Sequence, residues 1–479
     1  MLTEVRPATS SPRRPAWLAV FADHRLFAVV LALAAGMRVV TMLGYRPARL
    51  YWYDSFTYLD TAVHLAPSGA FHPIGYSLLL RALWPFHSME LVAALQHLLG
   101  ASIGVMIYAV LRRRSLPAWA AAVATVPALF DASFLQLEHA VLSDTLFTFL
   151  IVAGLTTLMW SPALSIRAAM GAGLLFAAAA VTRTIALPLI GVVLIVLAFQ
   201  RAGLGRLLAV ALAGTLPVVA YAAWYAAHNG RFALNEADGV ALWARTMTFA
   251  DCSIIKPPPS EAVLCPNGTV VDAASEYVWA PGASLNRLPG GRFANNALAR
   301  SFAVRAILAQ PFDYVRDVAR DTSIAFAWTP VAHPKRVTPA FGWANGSWPL
   351  PEQPLIDKVR REYGSDIRGM SSVRPYSDFL IAYQYPAYLR GPLLGAILLV
   401  GAAGTVTRRR VALLPWMLAM GLLVGPVAVL DFDHRYVLPV IPPACLAAAL
   451  ALHALLGRSA PAGARSLDDL PPKIHGTTP

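Results

Sequence analysis

Charge is what this sequence has least of. Only 14% of its residues are charged while 57% are hydrophobic, and the mean hydropathy is +0.55. A soluble domain cannot cover its surface with so little charge, so a purely soluble globular protein is excluded. Lysine is nearly missing: Lys256, Lys335, Lys358 and Lys473 are the whole set among 39 basic residues. The net charge of +13 is therefore arginine, and much of it sits in short segments between apolar runs. Topology accounts for such a pattern, and with no zinc-finger or RNA-recognition spacing present no nucleic-acid partner is expected. There is no P-loop, no G-x-G-x-x-G before a strand, no H-E-x-x-H and no Cys/His zinc spacing. A soluble nucleotide-sugar site of the Rossmann type is thereby disfavoured. Cysteine is scarce too. Cys252 and Cys265 share a long polar loop and are expected to form a disulfide on the oxidising side of a membrane; Cys445 reads as an inert packing residue.

What the sequence does have is apolar runs, ten of them, at about 24–44, 90–111, 117–135, 140–160, 169–182, 185–200, 206–227, 390–406, 411–430 and 437–456. They define an all-α polytopic membrane protein of about ten transmembrane helices with one large, mostly polar extracytoplasmic loop. The fifth and sixth runs are short, flank Thr182-Arg183-Thr184, and are expected to form a broken or shallow pair. The division is a tail at 1–23, an N-terminal membrane core at 24–227 with a first external loop at 45–89, the large loop at 228–389, C-terminal membrane helices at 390–456, and a tail at 457–479. Arg13 and Arg14, Arg112 to Arg114, Arg167, Arg201 and Arg206, Arg408 to Arg410, and Arg458 and Arg465 all fall on one side if ten crossings are counted. That side is cytoplasmic by the positive-inside rule, so a multi-pass cell-membrane protein with both termini cytoplasmic is expected. Within the large loop, 295–309 reads as a helix, and Pro311 opens a second one running to about Trp328. This second helix is expected to lie along the membrane, with Phe312, Val315, Ala319 and Phe326 on one face and Arg316, Asp317, Arg320 and Asp321 on the other.

The external face then collects the unusual charges: Asp54, Glu138, Arg183, Asp431, Asp433, His434 and Arg435. Asp54 sits in an aromatic stretch with Tyr51, Trp52, Tyr53 and Tyr58. A carboxylate there can take the proton of an attacking hydroxyl, or can simply cap a helix. His72-Pro73-Ile74-Gly75-Tyr76 opens a helical segment, with His72 able to contact a phosphate or sugar; a plain re-entry turn is the alternative. Asp144, six residues after Glu138, lies about one turn inside a span, where a carboxylate is costly and marks either function or an interhelical hydrogen bond. Arg183 can hold a phosphate bidentately or snorkel to the interface. His434 and Arg435 can stabilise a departing phosphate, or belong to a charged turn with an internal Asp–Arg pair.

These segments together resemble the GT-C superfamily of integral-membrane glycosyltransferases, in particular the bacterial branch related to protein O-mannosyltransferases and aminoarabinose transferases. The resemblance is carried by Asp54 with the His-Pro-x-Gly-Tyr segment at 72–76, by Glu138 to Phe147, by Ala309 to Trp328 with Gln310-Pro311-Phe312-Asp313-Tyr314, and by Arg435-Tyr436-Val437-Leu438-Pro439 followed by Ile441-Pro442-Pro443. It implies a sugar donor on a polyprenyl phosphate and transfer with inversion, on the external face, to a glycan, lipid or protein acceptor. Asp54 matches the catalytic base position, Asp144 or Glu138 the second acidic region, and Arg435 the final motif. The first loop carries a single Asp where an acidic pair would stand, and no metal is expected to be required. On this reading Arg183, His434 and Arg435 hold the phosphate, while Tyr51, Trp52, Tyr53 and Tyr58 frame the sugars. A flippase of lipid-linked sugar and a non-catalytic membrane scaffold are the rival readings. A transporter would bind at the midplane with repeat symmetry, and this sequence shows no repeat.

Overall fold

The computed structural model describes residues 16–67, 71–335, 342–364, 367–406 and 410–456. Arg13, Arg14, Arg408, Arg409, Arg458 and Arg465 lie outside the described residues, as does the side chain of Trp52. The chain is an all-α polytopic membrane protein whose apolar helices follow the ten runs. His24–Gly44 within the helix Ala16–Gly44, Met89–Arg113, Leu204–Asn229 and the composite His434–Leu456 are long and apolar enough to cross a membrane. Ala118–Phe130 and Ala132–Glu138 make a fifth if counted as one span, bent by 57°. Five helices are shorter: Asp144–Met159, Ile166–Thr182, Ala186–Phe199, Gly391–Thr405 and Leu413–Val429. The sequence reading placed the break at Thr182-Arg183-Thr184. The structure has that break and adds another at Asp131, whose carboxylate accepts the backbone N–H groups of Ser133 and Leu389, both at 2.7 Å.

Small residues set the helix spacing, as packing in lipid requires. Ile166–Thr182 packs along Leu204–Asn229 through Gly173, where an added Cβ would lie 2.7 Å from the Val210 carbonyl. Gly75 does the same for the helix Gly75–Leu83: its Cβ would lie 2.7 Å from the Val181 carbonyl, so the segment carrying His72 seats directly on the end of Ile166–Thr182. The 49–51 segment runs beside 139–141, with Arg49 N–H donating to the His139 carbonyl (3.0 Å) and Val141 N–H to that of Arg49 (2.9 Å). Ser55 completes the join, receiving Tyr51 N–H at 2.7 Å and donating to the Val141 carbonyl at 2.8 Å.

The large loop is not a polar excursion but a small helical unit with its own core of Val240, Trp243, Leu264, Leu285 and Phe302. Cys252 and Cys265 form the expected disulfide. Its closure of a 13-residue separation should stabilise this unit by about 3 kcal/mol in the chain-entropy picture. The double Cys252→Ser/Cys265→Ser variant is expected to lower the thermal midpoint of the loop in detergent, and an unchanged midpoint would contradict this.

The two loop helices are Asn296–Ala309 and Pro311–Ser323, the latter followed by a 3-10 turn at Ile324–Phe326. In the second helix the aspartates of its polar face are the covered side chains. Phe312 is 89% and Val315 62% exposed, whereas Asp317 and Asp321 are buried. The inward carboxylates are tolerated because the fully buried Arg245 bridges them, at 2.6 Å to Asp321 Oδ2 and 2.5 Å to Asp317 Oδ2. The apolar face thus points outward, the arrangement expected of a helix laid on a bilayer. Asp431 ties the loop to the last membrane helices: it pairs with His333 Nε2 at 2.7 Å and accepts Ser275 N–H at 2.9 Å.

Candidate active site

Asp54 lies in the first turn of the helix Trp52–His64, past the cap residue Tyr51, so it is not the N-cap that a purely local reading allows. The helix N-terminus favours its negative charge. The carboxylate spans two elements distant in sequence: His72 Nε2 is 3.2 Å from Oδ1 and Arg435 Nη1 is 3.3 Å from Oδ2. Burial pushes the carboxyl up, but the His72 and Arg435 charges and hydrogen bonds outweigh burial and hold it well below the usual carboxylate range. It keeps 25% of its side-chain surface, so it is within reach of a substrate.

The groups around it are held in turn. His72 Nδ1 is 3.1 Å from the Tyr58 hydroxyl, which also meets Ser143 Oγ at 2.9 Å. Burial pushes the Tyr58 phenol up, so it stays a neutral hydrogen-bonding group. Arg435 is also 3.1 Å from Asp433 Oδ2 and stands over the rings of Tyr51 (5.3 Å) and Tyr436 (5.2 Å). Arg183, at the break between Ile166–Thr182 and Ala186–Phe199, pairs with Asp144 Oδ1 and lies 5.0 Å from the centre of the same Tyr436 ring. Asp144 Oδ2 is buried and has no hydrogen-bond partner among the described residues. Two guanidiniums therefore share one aromatic ring, each bound to a carboxylate that an incoming anion would have to displace.

A cavity of about 600 Å³ opens beside this cluster. His72, Asp144, Arg183, Arg435 and Tyr436 form its polar end. The remainder is apolar, with Leu187, Val218, Ala222, Leu422 and Val429 drawn from three membrane helices. This is the shape and polarity needed by a molecule with a charged head and a hydrocarbon tail.

Of the site residues expected from sequence, the structure brings together Asp54, Tyr58, His72, Asp144, Arg183 and Arg435. It does not bring in three others. Glu138 is buried in a closed network with Arg38 Nη2 (2.7 Å) and His97 Nδ1 (2.8 Å), so its charge is spent on helix packing. His434 turns away from the cavity and hydrogen-bonds the backbone of Val331 through Nε2. Tyr53 is 59% exposed on the outer side of its helix. Ser143 and Tyr436 belong to the site and were not singled out by sequence; for Tyr436, adjacency to Arg435 was the available signal. Two groups of His and carboxylate side chains could hold a cation among the described residues, Asp60 with His64 and Glu362, and Asp321 with His333 and Asp431. Asp54 belongs to neither.

No known family profile matches the chain, and no curated protein does. Solved structures are similar to it at low identity. One is the Saccharomyces cerevisiae protein O-mannosyltransferase Pmt1-Pmt2 complex bound to the sugar donor (16% identity, 50% of this chain and 40% of that one, TM-score 0.35). Another is the Archaeoglobus fulgidus oligosaccharyltransferase AglB in complex with an inhibitory peptide and a dolichol-phosphate (12%, 91% and 51%, 0.41). A third is ArnT from Cupriavidus metallidurans bound to undecaprenyl phosphate (14%, 92% and 78%, 0.33). The chain thus spans about half or less of the length of the first two. Likeness at these TM-scores carries no weight for function, which rests on the site geometry.

Proposed function

We propose that this protein is a membrane glycosyltransferase that moves a sugar from a polyprenyl-phosphate donor to an acceptor hydroxyl, with inversion, on the extracytoplasmic face. The observation that supports it most is the position of Asp54. It is a carboxylate held ionised by His72 and Arg435, beside a cavity with two guanidiniums at one end and a hydrocarbon slot at the other. The tail lies in the slot and the phosphate sits between Arg183 and Arg435, with His72 beside it. Asp54 accepts the proton of the acceptor hydroxyl as the oxygen bonds to the anomeric carbon. The carbon–oxygen bond to phosphate breaks, and polyprenyl phosphate leaves with the electron pair on an oxygen that the guanidiniums stabilise.

The pairing of Arg435 with Asp54 bears on this step. Arg435 cannot serve Asp54 and the donor phosphate equally. As the phosphate draws it off, Asp54 loses a neighbouring cation and its proton affinity rises, so the base gains strength when the donor is in place. Arginines do the charge work here, so we expect EDTA treatment of purified enzyme to leave turnover unchanged. Loss of turnover restored by Mg²⁺ or Mn²⁺ would replace this part of the proposal.

The test is transfer by purified, reconstituted protein offered a panel of polyprenyl-phosphate sugars with envelope extracts as acceptor. Polyprenyl phosphate released in step with a new glycoside supports the proposal. Folded protein that binds donor, forms no glycoside and moves lipid-linked sugar across vesicles would be a flippase. Protein that binds no donor would be a scaffold.

A further inference from the structure

The turn 431–434 leads from the helix Leu413–Val429 to Arg435, and the large loop holds it at both ends. At its start, the buried Asp431 carboxylate accepts from His333 Nε2 (2.7 Å) and the Phe432 amide (2.8 Å) at Oδ1, and from the Ser275 amide (2.9 Å) at Oδ2. At its end, His434 Nε2 lies 2.9 Å from Val331 N and 2.8 Å from Val331 O. Between them Phe432 is buried, edge-on to the His333 ring (6.1 Å between centres) and to the His434 ring (5.0 Å). Val331, His333 and Ser275 all belong to the large loop, and the residue that follows the turn they grip is Arg435.

Arg435 takes its aim from this turn. Its backbone N–H donates to Asp433 Oδ1 at 3.0 Å, and its Nε lies 3.1 Å from Asp433 Oδ2. Main chain and guanidinium are thus both referred to Asp433. Residues 431–433 belong to no helix, so their conformation is held by what they touch. A carboxylate as covered as that of Asp431 is costly unless its hydrogen bonds are made. The histidine that gives it one of those bonds therefore fixes the turn. Asp321, nearby, does not compete for that histidine: its oxygens accept from Arg245 Nη1 at 2.6 Å and Arg320 Nε at 3.0 Å.

We propose that His333 is a positioning residue for Arg435: acting through Asp431, it sets the turn from which Arg435 reaches the phosphate of the lipid donor. The large loop then does more than lie over the membrane core, because it fixes a guanidinium on which phosphate affinity depends. That Arg435 binds phosphate rests on the function proposed above; the grip on the turn does not. The bond to Asp431 needs an N–H at the position of Nε2, which a glutamine amide can supply at similar reach and a leucine cannot.

The experiment measures undecaprenyl phosphate binding to full-length protein in nanodiscs. Wild type is compared with His333→Leu, His333→Gln, Arg435→Gln and the double variant His333→Leu/Arg435→Gln, and backbone hydrogen exchange is followed on the same samples. His333→Leu should weaken binding about tenfold, and His333→Gln should recover most of the loss. Arg435→Gln should weaken binding too, and adding His333→Leu to it should cost nothing further, since a residue that acts through Arg435 then has nothing to position. Exchange at 430–437 should quicken in His333→Leu while the loop core around Trp243 and Phe302 keeps its wild-type rate. Equal losses from His333→Leu with and without Arg435 would overturn the proposal. So would wild-type affinity in His333→Leu, or a His333→Gln protein as weak as His333→Leu. Faster exchange of the loop core as well would make the effect one of folding and overturn it too. Arg435→Gln that binds like wild type would remove Arg435 from the phosphate cradle, and the positioning role with it. The expected binding pattern without glycosyl transfer from any donor would keep the positioning role and remove the glycosyltransferase reading.

Discussion

Asp54→Asn protein should fold, bind donor and fail to turn over. Asn is nearly isosteric, and its amide can still hydrogen-bond His72 or Arg435, so the helix Trp52–His64 keeps its place. What it cannot do is take a proton. The loss should be about a hundred- to ten-thousandfold in kcat, the range that a positioned general base contributes. Donor affinity should hold or rise, because Arg435 no longer has a charged partner to leave. The pH profile carries a second signature. In the free enzyme the Asp54 carboxyl is held below the usual carboxylate range by His72 and Arg435, so kcat/KM should not fall on account of this group until the pH is below about 4. In the donor complex, with Arg435 drawn to phosphate, the acid limb of kcat should lie at higher pH. Any contribution of Asp54 to stability follows the same sign: present above the ordinary carboxylate range and lost as pH falls through the depressed folded value. Normal turnover in Asp54→Asn, or coincident acid limbs, would remove it from the role of base.

The second large effect separates catalysis from folding at Arg183. Asp144 is buried and Arg183 is its charged partner. Arg183→Leu strands that carboxylate and should cost about 3–5 kcal/mol of stability, read as a lower unfolding midpoint in detergent. The double variant Arg183→Leu/Asp144→Leu removes both charges and should recover most of the loss, since paired burial is often neutral against apolar replacement. Turnover should be lost in both. A double variant that recovers stability and also turns over would show that the pair serves structure alone, and the phosphate cradle would have to be sought elsewhere.

How far the sequence could be read follows from what kind of signal each feature leaves. The membrane helices were legible because apolar runs are long and local; each boundary but the start of the first helix lies within a few residues of its run. Asp54, His72, Asp144, Arg183 and Arg435 were legible because a charge at a membrane edge is conspicuous on its own. Glu138 is equally conspicuous and was misplaced. Hydropathy does not tell a carboxylate that faces a cavity from one neutralised by an arginine on another helix, and Arg38 lies inside an otherwise apolar run. The 311–323 helix shows the same blindness from the other side: its pattern gives two faces, and only the buried Arg245 explains why Asp317 and Asp321 are covered. His434 and Arg435 are adjacent in sequence, yet Arg435 faces the cavity and His434 the Val331 backbone, a distinction set by helical phase at a helix start, where phase is hardest to read.

The Arg38–Glu138 pair also bears on how the protein is made. Arg38 is synthesised 100 residues before the carboxylate that neutralises it. Until Glu138 arrives, the first helix carries an uncompensated cation within its apolar stretch, a state that costs a few kcal/mol at the centre of a bilayer and less near its edge. The guanidinium lies near the end of Ala16–Gly44, so it can reach out to the interface while it waits. Its final position, with bonds to the His97 and Leu129 carbonyls as well as Glu138, exists only once the bent segment has been inserted. The first helices of this protein therefore cannot settle one at a time in order of synthesis. They close together around a charge that the nascent chain must hold at the membrane surface until its counter-ion emerges.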